Sequence, residues 1–302
     1  MDCSGASCSD HDSRGSCEKN GCRKREQLEV KSVFFTDLDN TIIYSCRHEI
    51  GRDKLCVELY QGREVSFVTI KTWEMLRQVK ERALLIPVTT RTIEQYDRIQ
   101  LKVETPEYAL VCNGGILLEK GVENPVWYQD SLALTADCRE ELKAAQLLME
   151  RDKNRSFEVR NIRELFLFTK SEKPEKSVEY LEKRLDTEHV CIFQNGAKVY
   201  VLPKNLNKGA AVKRFLQKLQ REGQETGTVY AAGDSGFDIS MLQQAQISFA
   251  PAALGNSYKL PEQTLVVEDQ EMFSEAVLRR ILQQTGNIHN LNMFCGGKEV
   301  EI

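Results

Sequence analysis

The chain has 302 residues, 41% of them hydrophobic and 28% charged, with a formal net charge of −4. That is enough apolar material for a sizeable core, in one large domain or two modest ones. The acidic balance excludes the broad basic surface that nonspecific nucleic-acid binding requires, though not a small basic pocket.

Residues 1–30 read as a thiol-bearing tail rich in Ser, Gly, Asp and Lys. Cys3, Cys8, Cys17 and Cys22 fall there in two equally spaced pairs with His11 between them. A zinc site is conceivable, but structural zinc usually takes tighter knuckles. The start Met1-Asp2-Cys3-Ser4-Gly5 lacks the apolar stretch of a secretory signal, and neither end carries a lipidation signal. Apolar runs such as Ala83 to Val88 fall far short of the ~20 residues a spanning helix needs. The expectation is therefore a cytoplasmic protein with free thiols, without membrane or nucleic-acid partners; protein partners stay open.

Order begins at Val33-Phe34-Phe35, which fits a buried strand. Further strand-like runs follow at Ala83 to Val88, Tyr108 to Cys112, Thr228 to Ala232 and Ile247 to Ala250. Helical stripes separate them: Ile70, Trp73, Leu76 and Val79; Val212, Phe215, Leu216 and Leu219; and Phe273, Val277, Leu278, Ile281 and Leu282. Strands alternating with amphipathic helices predict an α/β, Rossmann-like core with a mostly parallel sheet. The middle of the chain differs. A helix pattern at Arg139 to Glu150 precedes alternation over Ser156 to Arg160, an apolar run at Leu165 to Thr169 and a helix over Ser177 to Leu185. Val190 to Gln194 and Lys198 to Leu202 flank Asn195-Gly196, a hairpin signal. The reading is a core of residues 31–118 and 203–288, an inserted α+β cap of residues 119–202, and a tail of residues 289–302.

Four motifs carry the chemistry. Asp37-Leu38-Asp39-Asn40-Thr41 follows the first strand, where ligands of open α/β sheets bind. Thr89-Thr90-Arg91 follows the second and offers a hydroxyl and backbone N–H groups to an anion. Lys208-Gly209 opens a helix, and a lysine there can neutralise phosphoryl oxygens as a point charge. Gly233-Asp234-Ser235-Gly236-Phe237-Asp238 lies between a strand and a helix. Taken singly, each is equally an acidic turn, an N-cap or a surface lysine. Taken together, four carboxylates in one cleft would repel unless an oxygen-liganded cation such as Mg²⁺ sat among them.

In this order the motifs resemble those of the haloacid dehalogenase-like superfamily, and more narrowly its Cof-type and sucrose-phosphatase-like hydrolases, whose large cap lies between the second and third motifs. Asn113-Gly114 and Leu206-Asn207-Lys208-Gly209 also match that pattern. The resemblance spans roughly Ser32 to Leu282. It implies a Mg²⁺-dependent phosphatase acting on a small phosphorylated metabolite, foremost a sugar phosphate, through an aspartyl-phosphate intermediate. Asp37 would be nucleophile and metal ligand. Asp39 would be acid and base, binding metal through its carbonyl. Thr89 would bond a phosphoryl oxygen and Lys208 would stabilise charge. Asp234 and Asp238 would complete the metal site, with Thr90, Arg91, Asn113 and Gly114 on the substrate side. Arg155, Arg160, Arg163 and Lys198 are candidate cap contacts. Two positions depart from the pattern, which has Gly where Thr90 stands and Asn where Phe237 stands. A phosphohexomutase-like isomerase and a non-catalytic metabolite-binding regulator are the alternatives.

Overall fold

The computed structural model describes residues 30–294, with side chains to residue 286. The expectations for Cys3, Cys8, Cys17, Cys22 and His11, and for the chain beyond Phe294, lie outside the described residues. No described helix is long and apolar enough to cross a membrane.

Strand β1 (Lys31–Thr36) is buried over five of its six residues. Val33 and Phe35 pack into one apolar cluster and Phe34 into another, as a strand covered on both faces requires. An antiparallel sheet follows from β2 (Tyr44–Ser45), β3 (Lys54–Tyr60) and β4 (Arg63–Thr69), in the order β2-β4-β3. Gln61 and Gly62, both at positive φ, form the two-residue turn between β3 and β4. Thr69 then caps α1 (Ile70–Arg82), its hydroxyl accepting from Thr72 N at 3.0 Å. Next come β5 (Ala83–Pro87), the short α2 (Ile93–Tyr96), and the meander β6 (Tyr108–Val111), β7 (Ile116–Glu119) and β8 (Val122–Glu123).

Helix α3 (Pro125–Leu134) packs back on the core. Its Trp127 donates to Gly114 O at 3.0 Å and lies under the guanidinium of Arg214. The expected cap began at residue 119, ahead of this helix; α3 instead keeps the company of the core. Helix α4 (Arg139–Arg151), β9 (Arg160–Ile162), β10 (Phe166–Lys170), α5 (Pro174–Glu182), β11 (Val190–Asn195) and β12 (Lys198–Pro203) then build a four-stranded antiparallel sheet, ordered β11-β12-β10-β9. Leu167, Val199 and Val201 face α4 and α5 in one cluster. Phe166, Phe168, Tyr200 and Leu202 look the other way and share a cluster with Val111, Cys112 and Ile116.

Two local expectations shift. Ser156 to Arg160 is not a strand; the ladder starts at Arg160, because Thr169 Oγ1 bonds the carbonyls of Phe157 and Glu158 at 2.7 and 3.2 Å. The hairpin turn lies one residue later than Asn195-Gly196. Asn195 pairs with Lys198, so Gly196 and Ala197 form the loop, with Gly196 at φ 57°.

The chain returns through α6 (Lys208–Arg221), β13 (Thr226–Ala232), α7 (Ile239–Leu242), β14 (Ile247–Pro251), α8 (Ala252–Ser257), β15 (Thr264–Val267) and α9 (Phe273–Phe294). Helix α9 thus runs past residue 289, where the terminal tail was expected to begin. The main sheet is wholly parallel, ordered β15-β14-β13-β1-β5, and α1 and α9 cover one face while α6 and α7 cover the other. The architecture is the expected α/β, Rossmann-like one with an added α+β unit. Thr36 pairs with Pro87 on one side and Ala232 on the other, so Asp37, Thr89 and Asp234 all leave the same sheet edge.

Candidate active site

Lys208 is the first residue of α6, a helix capped by Asn207, whose Oδ1 accepts from Ala210 N at 2.9 Å. The Lys208 side chain is almost completely buried, and its ammonium bridges Asp37 Oδ1 at 2.6 Å and Asp238 Oδ1 at 2.5 Å. Burial pulls its pKa down, but Asp238 and Asp37 more than offset that and hold it above the ordinary lysine value. Asp238 Oδ2 accepts from Asp234 N at 3.1 Å, Ser235 N at 2.9 Å and Ser235 Oγ at 2.8 Å, so one carboxylate organises the whole Gly233–Asp238 loop. Gly233 is needed in that loop, since a Cβ there would come within 2.3 Å of Asp238 Cβ.

Carboxylate oxygens of Asp37, Asp234 and Asp238 lie within 4.8 Å of one another. Three carboxylates and one ammonium leave a formal charge of −2. Burial first, then the neighbouring Asp238 and Asp234, raises the Asp37 pKa well above the carboxylate range, against the opposing pull of Lys208. Burial and Asp238 push Asp234 up to about 7. Asp37 Oδ2 accepts no hydrogen bond among the described residues. Crowded, oxygen-only donors with excess negative charge fit a hard divalent cation such as Mg²⁺.

The Asp39 carboxylate turns away from this trio. Arg91 grips it with two bonds, Nε to Oδ2 and Nη2 to Oδ1, both 2.7 Å. The same guanidinium reaches Glu58 on β3 at 2.9 and 3.0 Å. Glu58 is almost fully buried and also accepts from Ser66 Oγ at 2.6 Å and Arg98 Nε at 3.1 Å. These residues open onto a cavity of about 200 Å³, also lined by Thr90, Thr92 and Gln95 and, from the inserted sheet, Phe166, Phe168, Lys198 and Tyr200. A larger groove of about 990 Å³ opens around Lys31, Trp73, Lys80 and Ala83, at the opposite end of the sheet, and contains none of the motif residues.

A family pattern described as haloacid dehalogenase-like hydrolase matches residues 123–258. The sucrose-phosphatase of Synechocystis shares the fold at a TM-score of 0.58 and 17% identity, over 85% of this chain and 98% of that one. The Thermoplasma acidophilum protein 0175 does so at 0.54 and 16%, over 85% and 99%. No curated protein sequence matches the chain. Residues 123–258 thus match the haloacid dehalogenase-like hydrolase pattern, and the chain as a whole shares the fold of these two proteins.

The expected site residues divide into four groups. Asp37, Lys208, Asp234 and Asp238 meet in one cluster. Asp39, Thr90 and Arg91 line the adjoining cavity. Thr89 is buried, and its hydroxyl accepts from Arg91 N at 3.2 Å. Asn113 and Gly114 line neither place. Asn113 Nδ2 bonds Leu206 O at 2.9 Å, and Gly114, at φ 85°, packs so tightly on α6 that a Cβ would meet Ala211 Cβ at 2.2 Å. Both hold the start of the Lys208 helix against β6. Of the four cationic cap candidates only Lys198 reaches the cavity. Arg155 bonds Phe157 O, Arg160 pairs with Glu158, and Arg163 pairs with Glu123.

Sequence reasoning missed Glu58, Gln95, Arg98 and the aromatic wall. The signal for Glu58 was present in the Gln61-Gly62 turn between two strand-like stretches. At the departure from the family pattern, Phe237 lies 4.0 Å from the Phe193 ring and 5.2 Å from the Tyr200 ring, centroid to centroid. Its aromatic side chain joins the acidic loop of the core to the inserted sheet.

Proposed function

We propose that this protein is a Mg²⁺-dependent phosphatase that hydrolyses a small phosphomonoester, foremost a sugar phosphate, through an aspartyl-phosphate on Asp37. The observation that carries the reading is the buried Lys208 ammonium bridging Asp37 and Asp238 at the sheet edge, with Asp234 in reach. The sucrose-phosphatase likeness supports the fold on which this site is built.

In this reading Asp37 Oδ2, the oxygen not engaged by Lys208, attacks phosphorus. Lys208 offsets charge on the nucleophile and on the phosphoryl oxygens, and the Thr89 hydroxyl bonds one of those oxygens. Asp37 and Asp234, with the Asp39 carbonyl, would hold Mg²⁺, which supplies charge neutralisation at the phosphoryl group, and Asp238, both of whose oxygens are already bonded, would support it indirectly. Asp39 stands on the leaving-group side and passes a proton to the departing oxygen, then takes one from the hydrolytic water. Arg91 bonds both Asp39 oxygens and so fixes the carboxylate in place for the second role. The first role requires Asp39 to loosen at least one Arg91 bond and acquire a proton.

We read the inserted unit as residues 135–203, closing over the cavity and choosing the leaving group. We read the compartment as the cytoplasm, because the described cysteines Cys46, Cys56, Cys112, Cys138 and Cys191 are free thiols.

The test is p-nitrophenyl phosphate hydrolysis by the purified chain. Free phosphate should appear with Mg²⁺, stop on chelation and resume on readdition. Asp37→Asn should lower kcat by at least about a thousandfold. Undiminished turnover in that variant would remove Asp37 as the nucleophile.

A further inference from the structure

The cavity beside Asp39 has an imbalance of charge. Its lining holds two carboxylates, Asp39 and Glu58, against three cations, Arg91, Arg98 and Lys198. Arg91 is committed to both carboxylates and Arg98 shares Glu58. Lys198 has neither an ion pair nor a hydrogen bond among the described residues. Directly opposite it in the β10–β12 ladder stands Lys170, also without a carboxylate partner among the described residues. Like charges facing each other across a sheet destabilise it. Crowding by protein lowers the Lys198 pKa, Asp39 opposes this, and Arg91 and Lys170 add to it, although the residue keeps solvent exposure. An anion arriving between these groups would relieve that repulsion.

The remaining wall is apolar. Phe166, Phe168 and Tyr200 present an aromatic face from the inserted sheet. It suits a short carbon skeleton and strengthens charge interactions at its edge by excluding water. The volume of about 200 Å³ lies below that of sites for drug-sized ligands, so the occupant is small.

The geometry points to a phosphomonoester whose small leaving group carries its own negative charge, a carboxylate or a second phosphate, recognised by Lys198 and Arg98. The inference rests on the phosphatase reading and deepens it.

Two matched pairs test it. One is 3-phosphoglycerate against glycerol 3-phosphate, which exchanges a carboxylate for a hydroxymethyl group. The other is glucose 1,6-bisphosphate against glucose 6-phosphate. In at least one pair the charged member should lead by about tenfold in kcat/KM, the worth of one charge-assisted hydrogen bond. The pair that responds identifies the anion. In Lys198→Gln, and more fully in Lys198→Gln with Arg98→Gln, that ratio should fall to within about twofold of unity. Ratios at or below unity in both pairs, or a preference untouched by the double substitution, would overturn the inference. The same ligands titrated calorimetrically into Asp37→Asn in the presence of Mg²⁺ separate the two claims. Absence of turnover on every substrate defeats the phosphatase reading alone, whereas equal affinity for charged and uncharged members defeats this one.

Discussion

Lys208 begins α6, where the aligned peptide dipoles disfavour a cation, and it is removed from water as well. Two carboxylates hold it there, and breaking either pair would strand a buried charge. The same crowding makes Asp37 and Asp234 reluctant to ionise. Asp234 has an ordinary value of 3.8 and is pushed up to about 7, chiefly by burial and then by Asp238. Between those two pH values the native state holds a proton that the unfolded chain has already released. Native protein then binds more protons, so its stability falls as pH rises through that window. A cation bound to the ionised carboxylates reverses the penalty and binds better above pH 7 than below it. Thermal melts should therefore show a larger Mg²⁺-induced rise in Tm at pH 8 than at pH 6. Chelated protein should lose stability over the same interval. An equal Mg²⁺ shift at both pH values would mean that Asp234 is already ionised without metal.

Helices and strands explain which parts of this site could be read from sequence. Strands β1, β5 and β13 close in apolar runs because parallel strands are buried on both faces, and within two residues of each strand's end lies a residue whose chemistry stands out: Asp37, Thr89 and Asp234. The cluster at their ends was legible for that reason. The role of the β3–β4 hairpin was not: Leu55, Val57 and Leu59 alternate with other residues and mark a strand, but nothing in that pattern singles out Glu58. Glu58 becomes meaningful only when Arg91, distant in sequence, folds over it. Asn113 and Gly114 were legible as a motif but not in their role, because the contact that fixes Gly114 comes from Ala211 on another element. The hairpin makes its own prediction. Glu58 anchors Arg91, and Arg91 anchors Asp39, so Glu58→Gln should loosen the proposed acid–base, Asp39. We expect kcat to fall about ten- to a hundredfold with KM little changed, and stability to fall by roughly 1–3 kcal/mol. Initial-rate kinetics beside urea unfolding will measure both. An unchanged kcat would show that Arg91 positions Asp39 unaided.

Across the whole molecule, the core and the inserted sheet meet where the cavity forms, and Phe237 is one of the side chains that tie one to the other. It belongs to the loop carrying Asp234 and Asp238, yet its ring packs against Phe193 and Tyr200 of the inserted sheet. Gly236 beside it has no room for a Cβ, which would come within 2.7 Å of the Phe193 ring and 2.8 Å of Tyr258. Aromatic pairs of this kind contribute about 0.5–1.5 kcal/mol each beyond the area they bury. That is enough to bias an open–closed equilibrium several-fold toward closure. In the proposed reading a closed cap keeps the cavity small, so this clasp would limit the size of the leaving group while leaving the charged cluster intact. Phe237→Ala should therefore widen the substrate range. The kcat/KM ratio of a disaccharide phosphate to a three-carbon phosphate should rise several-fold, and amide hydrogen exchange in β11 and β12 should quicken. If the variant instead loses activity on all substrates in proportion, with exchange in β11 and β12 unchanged, then Phe237 serves only to shape the Asp234–Asp238 loop, and cap closure is held by other contacts.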